Sequence, residues 1–213
     1  MSKSFWAVIA VIIVIFGGIL LFNSHKAGAP TNGNASAATN HVQGEGKEGI
    51  TLIEYGDYQC PYCGQYYPVV KAVQQKYNTQ LRFQFRNLPL LQVHQNAFAA
   101  ARAAEAANIQ GKFWQMHDLL YESQSNWSES RTSENIFEQY AAQLGLNVKQ
   151  FKQDAASAKV NDVINADIAA FLKTGNEEST PAFFLDGKKI QPGNKIEDFS
   201  KLIDAQIASK HKS

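Results

Sequence analysis

The spacing of apolar residues changes character several times along the chain. Phe5 to Phe22 (FWAVIAVIIVIFGGILLF) is an uninterrupted, uncharged run, just long enough for a somewhat short membrane-spanning helix. Asn23 to Lys47 is rich in Ala, Gly, Asn, Ser and Thr, includes Pro30 and has few large apolar side chains, which predicts a flexible tether. Beyond it the pattern becomes globular. Ile50 to Tyr55 is apolar on both faces except at Glu54, as in a central strand. Tyr62 to Asn78 predicts a helix with Pro61 at its first position and a kink at Pro68, where a backbone hydrogen bond is lost. Leu81 to Asn87 alternates strictly. Leu81, Phe83 and Phe85 share one face, and Arg82, Gln84 and Arg86 share a wetter one where the charges are expected to be solvated.

From Gln95 to about Thr174 the period is helical. The alanine-rich run Ala97 to Ala107 is strongly helix-forming, Phe113 to Leu120 suggests a second helix, and Ser133 to Leu144 a third that stops at Gly145. Val148 to Phe151 and Val160 to Leu172 add two more. Ala182 to Leu185 then reads as a strand, Asp186-Gly187 as a two-residue hairpin turn, and Lys188 to Ile190 as the returning strand. Ile196 to Ala208 closes the chain as an amphipathic helix. The expected organisation is an anchor over 1–22, a linker over 23–48, and one α/β domain over 49–213 with a helical insertion at about 93–174.

Composition narrows the function classes. Net charge is +1 over 213 residues with no basic block, so nothing points to nucleic acid. The N-terminal run has two readings, an uncleaved anchor or a cleaved signal peptide. Ala27-Gly28-Ala29 resembles a cleavage site, but Pro30 follows it, and the run is longer than a usual signal core, which favours the anchor. Lys3 before the run nearly balances His25 and Lys26 after it, so charge alone does not orient it.

The candidate chemistry lies at Cys60-Pro61-Tyr62-Cys63, which holds both cysteines of the chain. A strand, a short loop and C-x-x-C at a helix start is the signature of a thioredoxin-like redox site. The helix dipole lowers the pKa of a thiol at the helix start, and the thiolate is the attacking species. Pro61 suits the first helical position, where its missing N–H has no partner. Cys63, one turn further in, is expected to be the buried, resolving thiol. Two other readings stand beside this one. The pair could be half of a zinc site, although a structural site needs four ligands and the five histidines show no tight pairing. A purely structural disulfide would close too small a loop to stabilise much. A lone redox pair on a tethered domain places that domain in an oxidising, extracytoplasmic compartment. Glu54 is either a strand-end residue reaching water or a partly buried carboxylate that exchanges a proton with Cys63. His94 and His117 read as helix-packing or capping residues.

Together these residues give a chain that resembles the DsbA-like thiol–disulfide oxidoreductases from about Gly49 to Ser209. The resemblance rests on Cys60-Pro61-Tyr62-Cys63, on Glu54 at the family's buried-acid position, on Pro68 at its helix-kinking proline, and on Thr180-Pro181 at its cis-proline loop. It implies a thioredoxin-like fold with an inserted helical subdomain. Thr180 and Pro181 would lie against the disulfide and pair with a substrate peptide in strand-like fashion; the plainer reading of Pro181 is a trans turn. Pro-Tyr between the cysteines differs from the Pro-His of the best-known member. That difference places the expected potential between about −120 mV and about −200 to −230 mV.

The implied activity is oxidation of cysteine thiols in unfolded secreted proteins by the redox-active Cys60–Cys63 pair, with no other cofactor and no metal. The implied partners are these substrates, the membrane through the N-terminal helix, and a quinone-linked reoxidant of the DsbB or VKOR type. The domain is expected to be monomeric. A reductase or isomerase of the same fold and a tethered metal-binding module are the alternatives.

Overall fold

The computed structural model describes residues 37–212. The expected anchor over 1–22 and most of the expected linker therefore lie outside the described residues. Among the described residues no helix is long and apolar enough to cross a membrane.

The structure is built on a five-stranded sheet of order β1-β3-β2-β4-β5. Its strands are β1 (His41–Gln43), β2 (Ile50–Gly56), β3 (Leu81–Asn87), β4 (Ala182–Leu185) and β5 (Lys188–Ile190). Strands β2 and β3 run parallel, so the chain needs a crossover between them, and helix α1 (Pro61–Lys76) provides it. The other pairings are antiparallel: β1 with β3, β4 with β2, and β5 with β4. Asp186 and Gly187, with φ of 47° and 80°, make the tight turn from β4 to β5, as the Asp-Gly pair predicts.

Between β3 and β4 run α2 (Ala97–Ile109), α3 (Phe113–Glu122), α4 (Gln124–Trp127), α5 (Ser133–Gln143), α6 (Val148–Ala155) and α7 (Ala158–Leu172). These form the helical insertion. Helix α8 (Ile196–Lys210) closes the fold and runs slightly beyond its predicted end. The strand period sorts the side chains of β2 into two cores. Ile50 and Leu52 join Phe83, Phe85, Phe183 and residues of α1, α2, α3 and α8 on one face. Ile53 and Tyr55 join Phe184, Ala182 and Phe171 of α7 on the other. A strand buried on both sides explains why β2 shows no alternation in sequence.

Two expectations need correction. The tether was expected to run to residue 48, yet β1 falls inside it and pairs with β3 at His41–Phe85, Val42–Gln84 and Gln43–Phe83. Polar contacts hold this segment, so apolar spacing gives no sign of it. The main-chain N–H and hydroxyl of Thr39 both donate to the Asp167 carboxylate at 2.7 Å. His41 Nε2 lies 2.8 Å from Glu105 Oε1, and its ring stacks on Phe113. The wetter face of β3 is also drier than expected. Gln84 is buried and donates to the Thr39 carbonyl, and the Arg86 guanidinium lies over the Tyr55 ring. Only Arg82 among these three is exposed.

Candidate active site

Strand β2 ends at Gly56, and the loop from Asp57 to Gln59 delivers Cys60 to the N-cap of α1. Cys60 is extended (φ −64°, ψ 122°), has no side-chain cap and is followed by Pro61 at the first helical position. Its sulfur thus sits beside main-chain N–H groups that no carbonyl satisfies. Both cysteines are free thiols, with 4% of Cys60 and 0% of Cys63 exposed, so only Cys60 can meet a partner. The Thr180-Pro181 bond is cis, and the Thr180 carbonyl lies 3.5 Å from Cys60 Sγ.

The two sulfurs are driven apart in acidity. A hydrogen bond from the Cys63 thiol, helped by Thr180 and by the N–H groups of Cys63 and Tyr62, overcomes burial and lowers the Cys60 pKa to about 6. Burial, the neighbouring Cys60 sulfur and Glu54 push Cys63 well above the ordinary thiol range, and the Asp57 N–H opposes them. At neutral pH the accessible sulfur is therefore a thiolate and the buried one a thiol, the division of labour an exchange site needs.

Glu54 lies beneath this pair rather than at a wet strand end. It is 3% exposed, flanked in the sheet by Phe85 and Phe183, and burial raises its pKa to about 8. Tyr62 reaches the site through its main chain, while its side chain is 65% exposed. An open groove of about 240 Å³ runs from Tyr62 past Thr180 and Pro181 to Ile190 and Pro192.

Sequence reasoning missed the residues that fix the loop before Cys60. The buried Asp57 carboxylate accepts from Gln59 N, Leu90 N and His94 Nδ1. The Gln59 side chain accepts from Asn96 N at 2.6 Å and donates to Ser128 O at 2.7 Å. The Gln124 amide donates to the carbonyls of Tyr58 at 2.7 Å and Cys60 at 2.9 Å. The one available signal was two polar residues, Asp57 and Gln59, set between an apolar strand and the cysteines. Their other partners lie tens of residues away and carry no local pattern. His94 thus contacts the active-site loop, whereas His117 is buried among Tyr58, Phe85 and Tyr121, where burial lowers its pKa.

A parallel β2–α1–β3 unit with two thiols at the helix start, an acid below and a cis-proline loop alongside defines a thiol–disulfide oxidoreductase fold of the thioredoxin type, resembling DsbA. The chain belongs to the thioredoxin family, whose model matches residues 36–205 and so includes β1. It is similar to the crystal structure of a thioredoxin-like oxidoreductase from Silicibacter pomeroyi (25% identity, TM-score 0.65, covering 78% of this chain and 91% of that one). It also resembles alpha-DsbA1 from Wolbachia pipientis (21%, TM-score 0.71, covering 83% and 94%) and oxidised BdbD from Bacillus subtilis (19%, TM-score 0.69, covering 82% and 98%). Among curated proteins it is 36% identical over 174 residues to Na(+)/H(+) antiporter NhaA 1 of Salinispora arenicola, covering 79% of this chain. The chain spans about a quarter of the length of the curated relatives it matches.

Proposed function

We propose that the protein is an extracytoplasmic thiol–disulfide oxidoreductase that introduces disulfides into secreted or surface proteins. The observation that carries this reading is the placement of Cys60 at the N-cap of α1, 3.5 Å from the carbonyl of the cis Thr180-Pro181 loop, with Cys63 fully buried one turn further in; the opposed acidity of the two sulfurs agrees with it. A stabilised Cys60 thiolate favours the reduced protein and so makes its disulfide a better oxidant. A substrate thiolate attacks Cys60 Sγ, the Cys60–Cys63 bond breaks, and its electron pair passes to Cys63 Sγ. Glu54, protonated over much of the neutral range, supplies the proton that Cys63 takes up. The second substrate thiolate then attacks the substrate sulfur of the mixed disulfide, Cys60 leaves as a thiolate, and the substrate departs as a disulfide with the protein reduced. Thr180 and Pro181 hold the substrate segment along the groove by strand-like pairing.

The uncharged run Phe5 to Phe22 supports tethering to the membrane with the domain outside, where a quinone-linked membrane protein of the DsbB or VKOR type returns Cys60 and Cys63 to the disulfide. The reduction potential in glutathione buffers tests the direction of electron flow. A value above about −160 mV is expected, and a value near the roughly −270 mV of thioredoxin would make the protein a reductase.

A further inference from the structure

The side-chain nitrogen of Gln124 carries two N–H donors, and each has its own main-chain acceptor. One is the Tyr58 carbonyl at 2.7 Å and the other the Cys60 carbonyl at 2.9 Å. The Cys60 carbonyl also accepts the Gly64 N–H at 3.1 Å, the first hydrogen bond of α1. Gln124 thus grips, from the insertion, the turn on which the reactive sulfur sits. The grip is itself held in place. Trp127 of the same short helix is completely buried with its indole N–H on the Leu120 carbonyl, and Gly64 leaves the space that the amide fills. Both carbonyls are negative ends of peptide dipoles within two residues of Cys60 Sγ. Such dipoles disfavour a thiolate, and a donor on each offsets them.

We propose that Gln124 is a positioning residue for Cys60. Its amide holds the main chain on either side of Gln59, so that Cys60 Sγ stays at the start of α1 beside the Thr180 carbonyl, and offsets two carbonyl dipoles that oppose charge on that sulfur. The helical insertion thereby sets how strongly oxidising the Cys60–Cys63 disulfide is. This inference rests on the exchange chemistry proposed above. In reduction by glutathione, two glutathione thiols give up two electrons and become one glutathione disulfide. The Cys60–Cys63 bond breaks, Cys63 takes one of the two protons, Cys60 remains a thiolate, and the second proton goes to solvent. Gln124 favours the product side of that exchange.

Gln124→Met keeps the length and bulk of the side chain without its donors. At pH 8 the equilibrium constant for its reduction by glutathione is expected to fall about tenfold, the scale of one hydrogen bond, which lowers the potential by about 30 mV. The pH midpoint of Cys60 thiolate formation, read from thiolate absorbance of the reduced protein, should rise by about one pH unit. Tyr77→Phe, which loses a bond to Asp204 near the far end of α1, should move neither quantity. An unchanged potential or an unchanged midpoint in Gln124→Met overturns the inference. An equal shift in Tyr77→Phe also overturns it, because that would show a helix loosened as a whole. A wild-type potential near that of thioredoxin would overturn the direction of electron flow proposed above, yet a tenfold difference between wild type and Gln124→Met would still support the role of Gln124. If the wild-type cysteines do not exchange with glutathione at all, the exchange chemistry fails and the role of Gln124 falls with it.

Discussion

At the scale of single residues, burial and hydrogen bonding set the behaviour of Glu54 and Cys60 in opposite directions, and pH separates them. Cys60 titrates at about 6 in the folded, reduced protein against an ordinary value of 9.0. Between those values the unfolded chain holds the proton and the folded protein does not, so stability of the reduced form rises with pH across that window and is lost as pH falls toward 6. Glu54 titrates at about 8 against 4.5, so the folded protein holds the extra proton and stability falls as pH climbs between those values. Cys63 is raised and contributes only above the ordinary thiol range. The oxidised protein has no titrating thiol. In Glu54→Gln, the unfolding free energy of the reduced form relative to the oxidised form is therefore expected to grow steadily from pH 6 to pH 9 in urea titrations. Both forms should also lose the decline between pH 5 and 8, which amounts to a few kcal/mol in the wild type, as an order of magnitude. A redox difference that stays flat across pH 6 to 9 would sink the assignment of a stabilised Cys60 thiolate.

At the scale of elements, the short helix α4 shows how the insertion serves the site. It buries Trp127 completely, with the indole N–H on the Leu120 carbonyl, and this fixes Gln124 over the first turn of α1. Gly64 makes room for the Gln124 amide, since a Cβ there would lie 2.6 Å from Gln124 Oε1. Gln124→Ala loses two hydrogen bonds and should cost about 1–3 kcal/mol. Gly64→Ala should destabilise the wild type by displacing the same amide. In the Gln124→Ala background it should instead stabilise by up to about 1 kcal/mol, because alanine is the better helix residue. Urea unfolding of the four proteins checks this, and an equal cost of Gly64→Ala in both backgrounds would refute it. The same elements show what could be read without coordinates. Strand β2, helix α1, the alternation of β3, the Asp-Gly turn and the C-x-x-C pair all have short-range periods or fixed spacings. The network of Asp57, Gln59, Asn96 and Gln124 has none, because apart from the bond between Asp57 and Gln59 it joins residues that the fold brings together from distant parts of the chain. Glu54 lay between: its position in the strand was legible, but its burial depended on Phe85 and Phe183 closing over it from neighbouring strands.

At the scale of the whole molecule, the question is where the folding unit begins, and the buried acids answer it. Asp167 of α7 accepts from the N–H and hydroxyl of Thr39 and from the N–H and side-chain amide of Asn87. Glu105 of α2 accepts from His41 and from Asn87. The segment before residue 49 therefore covers one edge of the sheet and also satisfies two carboxylates, Asp167 fully buried and Glu105 3% exposed. Leaving a buried carboxylate without one of its hydrogen-bond donors costs about 1–3 kcal/mol or more, and small domains hold only about 5–15 kcal/mol in total. A chain beginning at residue 49, the boundary that apolar spacing suggests, would lose partners of both acids and uncover β3. It is expected to show little cooperative unfolding, whereas a chain beginning at residue 36 should unfold in one sharp transition by circular dichroism. Asp167→Ala in the longer chain should lower its urea midpoint markedly, and Asp167→Asn, which keeps acceptor geometry for part of the network, should lower it less. Equal midpoints for the chains starting at 36 and 49 would mean that β1 and the acids beneath it contribute nothing to stability, and the domain would then begin where the apolar pattern begins.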